Sequence, residues 1–210
     1  MDLDANLRRY LDGRKPNERY TSFDYCFNYF QSFRDSGDVS ALASPANIQL
    51  SCLQLGFYLA SWGMLRGSAE LLQKSARNLI PVIEVVARTE TSLWELDAHS
   101  YTESNIQRLL ELARTIRRDH PSMSDILVTK IMLGVFGSVP AFDANFKRGF
   151  RVAKFGPKAL RKIGGFFQDH AEIINAYRVP TLDFISGEHL QRSYTRAKVI
   201  DMAFFIEGLP

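Results

Sequence analysis

Residues 124–148 of this 210-residue chain read SDILVTKIMLGVFGSVPAFDANFKR, and this stretch decides the fold. The run from Ile126 to Phe136 is almost entirely apolar, which is typical of a helix buried in a core. Gly137 and Pro140 predict that this helix ends and a turn begins, because both residues interrupt regular structure. Asp143 follows the turn at a position where an aspartate commonly caps the next helix.

Helical patterns also dominate the chain on both sides of this stretch. Apolar residues recur at about 3.6-residue spacing in segments 48–62 and 106–116, and a last helix is predicted from Thr195 to Ile206. The best strand candidate, Pro81 to Val86, fits a helix with proline in its first turn equally well. We therefore predict an all-α fold with a single helical domain over residues 1–210. Two helical lobes around a cleft are one possible arrangement of that domain.

The first 40 residues form an aromatic-rich segment that we expect to pack on this domain. Its rings surround a short predicted helix, and a helix that is apolar on all sides is normally buried. Stacking of one or two of these rings on a nucleobase is the alternative. The rings belong to Tyr20, Phe23, Tyr25, Phe27, Tyr29, Phe30 and Phe33.

Composition excludes several classes of protein. No apolar run reaches the ~18 residues that span a bilayer, and the N-terminus lacks the apolar core of a secretory signal. The chain has two cysteines, Cys26 and Cys52, too few for a four-cysteine metal or iron–sulfur site. We expect a cytoplasmic protein with reduced thiols, no metal, no cofactor and no membrane contact.

Positive charge is concentrated in one segment, although the net charge is only +3. Residues 144–168 contain no acidic residue. Such a cluster attracts polyanions and predicts a nucleic-acid surface, with a plain solvated face as the alternative. Its cations are Lys147, Arg148, Arg151, Lys154, Lys158, Arg161 and Lys162.

The apolar helix ending in Phe-Gly, the turn and the run Phe142–Arg148 together resemble the core of the helix-hairpin-helix DNA glycosylase superfamily. The resemblance implies that Asp143 is the catalytic aspartate. Asn145 stands where the family usually has a histidine, and Arg148 where it has an arginine. Phe142 and Asn145 are then expected beside the substrate.

Two upstream segments extend the resemblance. The stretch Leu59–Arg66 is similar to the segment that borders the base pocket, which makes Trp62, Met64 and Arg66 substrate-binding candidates. Gly63 and Gly67 beside Trp62 favour room for a modified or bulky base. The hairpin segment 120–124 has no glycine, so its candidates for holding a DNA phosphate are Ser122 and Ser124, at a helix N-terminus.

The resemblance also bears on the reaction. Lyase-type members place a lysine at the start of the second hairpin helix, where this chain has Ile126 or its neighbour. Lys130 lies one turn later. We therefore expect a monofunctional enzyme that acts as a monomer on double-stranded DNA, leaves an abasic site, and serves repair or defence against modified phage DNA. A carboxylate suits this reaction because it stabilises the positive charge that develops on the sugar and can activate a water.

Two other classes remain open. Arg114 and His120 have the R-x5-H spacing of small helical ribonucleases of the HEPN class, although Pro121 indicates that their helix is ending. A non-catalytic DNA-binding adaptor needs only the basic segment, and Asp143 is then simply a helix cap.

Overall fold

A computed structural model describes residues 1–67 and 69–210, with Glu70 by its backbone alone. The prediction of an all-α domain is confirmed, since the strands form only a short antiparallel hairpin.

The helices are α1 (Leu3–Asp12), α2 (Ser22–Asp35), α3 (Ile48–Ser61), α4 (Ile80–Ala87), α5 (Thr91–Trp94), α6 (Glu103–Arg117), α7 (Asp125–Phe136), α8 (Ala144–Phe150), α9 (Pro157–Asp169), α10 (Ala171–Ala176) and α11 (Arg196–Glu207). The strands are β1 (Pro180–Leu182) and β2 (His189–Ser193). Short 3-10 turns cover Arg19–Thr21, Val39–Ala43, Glu70–Gln73, Ala76–Leu79 and Ala98–Ser100.

Helices α7 and α11 form the middle of the core. The first is buried from Leu127 to Phe136 and the second from Ala197 to Ile206. Helices α2, α3 and α6 pack on α7, whereas α1, α8 and α10 pack on α11. Almost all buried apolar side chains of the described residues belong to one continuous core.

A hydrogen bond joins the C-terminal end of α7 to the N-terminal end of α11. Gly137 ends α7 in the left-handed region, with φ of 66°. A Cβ at this position would lie 2.7 Å from Thr195 Cγ2, so both the backbone and the available space require glycine. Thr195 caps α11 by accepting from the Lys198 amide, and its hydroxyl donates to the Gly137 carbonyl at 2.7 Å.

The strand hairpin is the element that the sequence did not predict. Its register pairs Pro180 with Ser193 and Leu182 with His189. The buried Asp24 of α2 accepts from the Leu182 amide and so ties the hairpin to the domain. Because β2 is mostly exposed, its residues lack the apolar alternation that marks a half-buried strand.

The N-terminal segment packs on the domain through α1, which lies on α11, and α2, which lies on α3 and α7. Phe23, Phe27 and Phe30 of α2 are buried in the core. Among the described residues, none of the helices combines the length and apolar character needed to cross a bilayer.

Candidate active site

The turn between α7 and α8 folds back along α7. The Phe142 amide donates to Thr129 Oγ1 at 2.9 Å, which brings the end of the turn beside the middle of α7. The neighbouring Ala141 amide donates to Asp201 Oδ1 of α11, also at 2.9 Å. Both amides are buried, so the two bonds hold the backbone immediately before Asp143 in one position.

Asp143 caps α8 and also forms an ion pair. Its Oδ1 accepts from the Phe146 amide at 3.0 Å, and its Oδ2 accepts from Lys130 Nζ at 3.1 Å. The side chains of Lys130 and Asp143 are 3% and 17% exposed. Asp143 is therefore mostly covered, and one carboxylate oxygen serves the helix cap while the other meets a buried ammonium group.

The position of Lys130 differs from what the sequence spacing indicates. Counted along α7, Lys130 lies one turn beyond the position that lyase-type glycosylases use. Because the turn folds back to Thr129, Asp143 lies beside Lys130 rather than beside Ile126. The amine of Lys130 therefore lies next to Asp143, although its position along α7 is one turn later than the expected one.

The indole of Trp62 covers Lys130. Lys130 Nζ lies over its ring, 5.0 Å from the centroid. Tyr20 stacks on the indole with ring centroids 5.6 Å apart and planes at 11°, and the Arg19 guanidinium lies 5.2 Å from the indole centroid. Phe205 meets the same ring edge-on at 5.6 Å. Trp62 thus contacts Lys130, the ion-pair partner of Asp143.

A second buried ion pair lies beneath the same indole. Lys198 Nζ donates to Asp201 Oδ2 at 2.9 Å and to the Tyr10 hydroxyl at 3.1 Å, and lies 5.7 Å from the Trp62 centroid. Burial opposes the charged form of Lys198, but the charge of Asp201 and these hydrogen bonds raise the pKa of the lysine above its ordinary value. Burial raises the pKa of the Tyr10 phenol to about 12.

Sequence reasoning missed this second pair. A lysine and an aspartate three residues apart in the otherwise apolar run 197–206 were the available signal, because charges are rarely buried without partners. Asp201 also binds the turn before Asp143, so the second pair is part of the structure that holds the first.

The remaining pocket candidates lie in different environments. Phe142 is fully buried and packs on Phe146 and Phe155, so it belongs to the core rather than to a substrate surface. Asn145 and Met64 are partly buried, whereas Arg66 is exposed. A Cβ at Gly63 would lie 2.7 Å from Arg66 Nε, so Arg66 occupies the space beside Gly63, whereas a Cβ at Gly67 would meet nothing within 4 Å among the described residues.

The basic segment divides into paired and unpaired cations. Arg161 forms a two-pronged ion pair with Glu103 of α6, at 2.6 and 2.9 Å. Lys162 donates to the carbonyl of Phe150, and Arg148 to that of Gly208. The segment lacks acidic residues along the chain, but tertiary packing supplies an acidic partner from another helix.

The cations that stay available are on and before α9. Among the described residues, the side chains of Lys147, Arg151, Lys154 and Lys158 make no hydrogen bond or ion pair, and the last three are exposed. Arg151 ends α8 in the left-handed region, with φ of 54°, a conformation that is unusual for an arginine.

The hairpin candidates lie between α6 and α7. Ser124 caps α7 by accepting from the Leu127 amide at 3.2 Å, and Ser122 is exposed. For the ribonuclease alternative, Arg114 donates to Glu111 at 2.6 Å on the exposed face of α6. His120 Nε2 is buried without a partner among the described residues.

Comparison with known proteins found no matching family model, no matching curated protein and no matching solved structure.

Proposed function

We propose that this protein is a DNA N-glycosylase that removes a flipped base by hydrolysis, with Asp143 as its catalytic carboxylate. The observation that carries the proposal is the Asp143 carboxylate, held between the α8 N-terminus and Lys130, whose ammonium group lies over the Trp62 indole. The chain's resemblance to helix-hairpin-helix glycosylases in residues 142–148 points to the same residue.

The chemistry requires little else from the protein. Water oxygen adds to C1′ of the deoxyribose while the C1′–N bond breaks, and the bonding electrons leave with the base. The carboxylate of Asp143 stabilises the positive charge on the sugar and accepts the water proton, which then passes to the departing base. Lys130 acts as a positioning residue, since its ammonium group holds one carboxylate oxygen in place.

The DNA surface of this proposal is the unpaired part of the basic segment. Lys154 and Lys158 are exposed and free to meet phosphates, and both follow the helix that Asp143 caps. Phosphate contacts of this kind orient the duplex without reading its sequence. The face of Tyr20 on which the Trp62 indole stacks is a surface that a flipped base can use.

One observation favours a second candidate, a glycosylase with lyase activity. Lys130 Nζ lies 3.1 Å from Asp143. If the carboxylate takes the lysine proton, the free amine can attack C1′, expel the base and form a Schiff base that leads to strand cleavage. An ammonium group paired with a carboxylate is not a nucleophile, so hydrolysis is the first candidate.

The direct test uses duplexes that each carry one altered base, such as uracil, hypoxanthine, 8-oxoguanine or an alkylated purine. Each duplex is incubated with the full chain, and the products are analysed before and after alkali. Strand breaks that appear only after alkali support hydrolysis, whereas breaks that appear before alkali indicate a glycosylase with lyase activity. Cleavage of RNA that depends on His120 would replace both with the ribonuclease alternative, whereas DNA binding without any base release would select the adaptor.

A further inference from the structure

The Trp62 indole is held almost entirely by rings and cations. Its Nε1 donor is buried but has no acceptor among the described residues. A buried N–H group that has lost water without gaining a partner destabilises the conformation that contains it. The indole therefore occupies a place whose contacts suit a flat ring, although its own polar atom is not satisfied there.

The backbone next to Trp62 has the conformations of a turn. Trp62 follows the last residue of α3, and both Gly63 and Gly67 adopt the left-handed region with φ of 81° and 60°. A change in this turn can move the indole without altering α3 itself. The space that the indole would vacate lies over the ammonium group of Lys130, which pairs with Asp143.

We propose that the Trp62 indole occupies the binding place of the flipped base, and that an uncharged purine-sized base enters by displacing it. This inference rests on the proposed function, whose substrate class it specifies. An indole and a purine are both flat bicyclic rings of similar size. A purine in this place would stack on Tyr20 as the indole does.

The charges around the ring exclude a cationic base. Among the described residues, three cations lie within 6 Å of the indole centroid, those of Lys130 at 5.0 Å, Arg19 at 5.2 Å and Lys198 at 5.7 Å. The first and last of them have carboxylate partners in Asp143 and Asp201, so these five groups leave one positive charge in excess. An ammonium or guanidinium group is attracted to the face of a neutral ring and repelled by a cationic one.

The experiment replaces the indole by added ligands. In Trp62→Gly, free indole should bind in the vacated space and serve as the reference ligand. Hypoxanthine and quinoline should bind as well, and N-methylquinolinium, a ring of the same shape with a positive charge, should bind at least about tenfold more weakly. Equilibrium dialysis measures all four affinities.

Arg19 supplies the matched test of charge, because its side chain is exposed and its removal breaks no buried ion pair. Arg19→Gln in the Trp62→Gly background should reduce the difference in affinity between quinoline and N-methylquinolinium. Arg88→Gln, at another exposed arginine, should leave that difference unchanged.

The wild-type protein gives an independent readout that does not need the cavity variant to fold. Saturating hypoxanthine should shift the Trp62 emission to longer wavelength, and Trp62→Phe, which retains only Trp94, should show no shift. Three results would each overturn the inference. The first is equal affinity for quinoline and N-methylquinolinium, and the second is binding of indole without binding of hypoxanthine. The third is that none of the four ligands binds and the emission does not shift. None of these readouts needs base release, so loss of the proposed activity with intact hypoxanthine binding would contradict only the glycosylase.

Discussion

Lys130 Nζ lies 3.1 Å from Asp143 Oδ2, although the two residues are 13 positions apart and a turn separates them. Lys130 projects from the middle of α7, and Asp143 stands at the N-terminus of α8. Because both side chains are largely buried, removing either one leaves a charge with little access to water. Any variant at this pair must therefore be tested for folding as well as for activity.

Asp143→Asn separates the charge of this residue from its capping role. The amide oxygen of asparagine can still accept from the Phe146 amide, so α8 should keep its cap. Base release should fall by roughly 10²–10³-fold, because transition-state stabilisation is lost. DNA affinity should change by no more than a few-fold, since the phosphate contacts are untouched. Release and binding are measured in parallel, with the exposed Asp12→Asn as control; full release by Asp143→Asn would refute the assignment.

The state of the DNA strand distinguishes the two candidate reactions. Hydrolysis leaves an abasic site in an intact strand, and borohydride should then trap no covalent complex because no Schiff base forms. Mass spectrometry of the trapped reaction is the measurement. A DNA adduct on Lys130 would establish lyase activity and refute the monofunctional proposal. The assignment of Asp143 to the active site would stand.

Salt dependence should distinguish the unpaired cations from the paired ones. Neutralising one phosphate contact changes the slope of log affinity against log salt by about 0.9. Lys154→Gln and Lys158→Gln should each make the slope shallower by about that amount. Arg161→Gln is the matched control and should change it less, because Glu103 already pairs with Arg161. Equal slopes for all three variants would contradict the division of the basic segment.

Close packing of α8 on α11 should make Gly149 sensitive to substitution. A Cβ at Gly149 would lie 2.3 Å from the Phe204 carbonyl oxygen, which is backbone and has little freedom to shift. Gly149→Ala should lower the free energy of unfolding by roughly 1–3 kcal/mol, as overpacked cores do. Gly165→Ala in α9 meets nothing within 4 Å and should be neutral or stabilising by roughly 0.5–1 kcal/mol. Urea unfolding of the two variants tests the contrast.

Stability should decline on the alkaline side. Burial raises the pKa of Tyr10 to about 12, and Lys198 also has a raised pKa, so the folded protein keeps protons that the unfolded chain releases above about pH 10. The free energy of unfolding should hold below that pH and fall above it, by up to about 1.4 kcal/mol per pH unit for each group. Tyr10→Phe should make this decline shallower between pH 10 and 12. If urea unfolding gives the same dependence of the free energy of unfolding on pH for Tyr10→Phe and for the wild type, the pKa of Tyr10 is not raised.

Local sequence patterns were sufficient for the elements of the site. The apolar run before Gly137 predicted a buried helix, and α7 ends at Phe136 with Gly137 as its left-handed cap. Asp143 caps α8 as its position after the turn indicated. The last helix begins after Thr195, one residue into the predicted segment. Each of these depends on contacts within a few residues, which is why the sequence alone carries them.

Contacts between distant residues could not be predicted in this way. Spacing along α7 indicated that Lys130 lies too late, but the direction of the following turn places it at Asp143. The pairing of Arg161 with Glu103, 58 positions away, likewise depends on how α6 and α9 pack. Local spacing describes one helix at a time, whereas charge pairing depends on which helices meet.

The sequence by itself therefore determined the central helices α7 and α11, the Gly137 end of α7 and the Asp143 cap of α8. Only the tertiary structure decided that Trp62, Lys130, Asp143, Lys198 and Asp201 lie together. The physical reason is that helix formation and capping depend on near neighbours in the chain. The site depends on the return of the 137–142 turn along α7 and on the burial of α11 beside it, and both follow from the packing of the whole core.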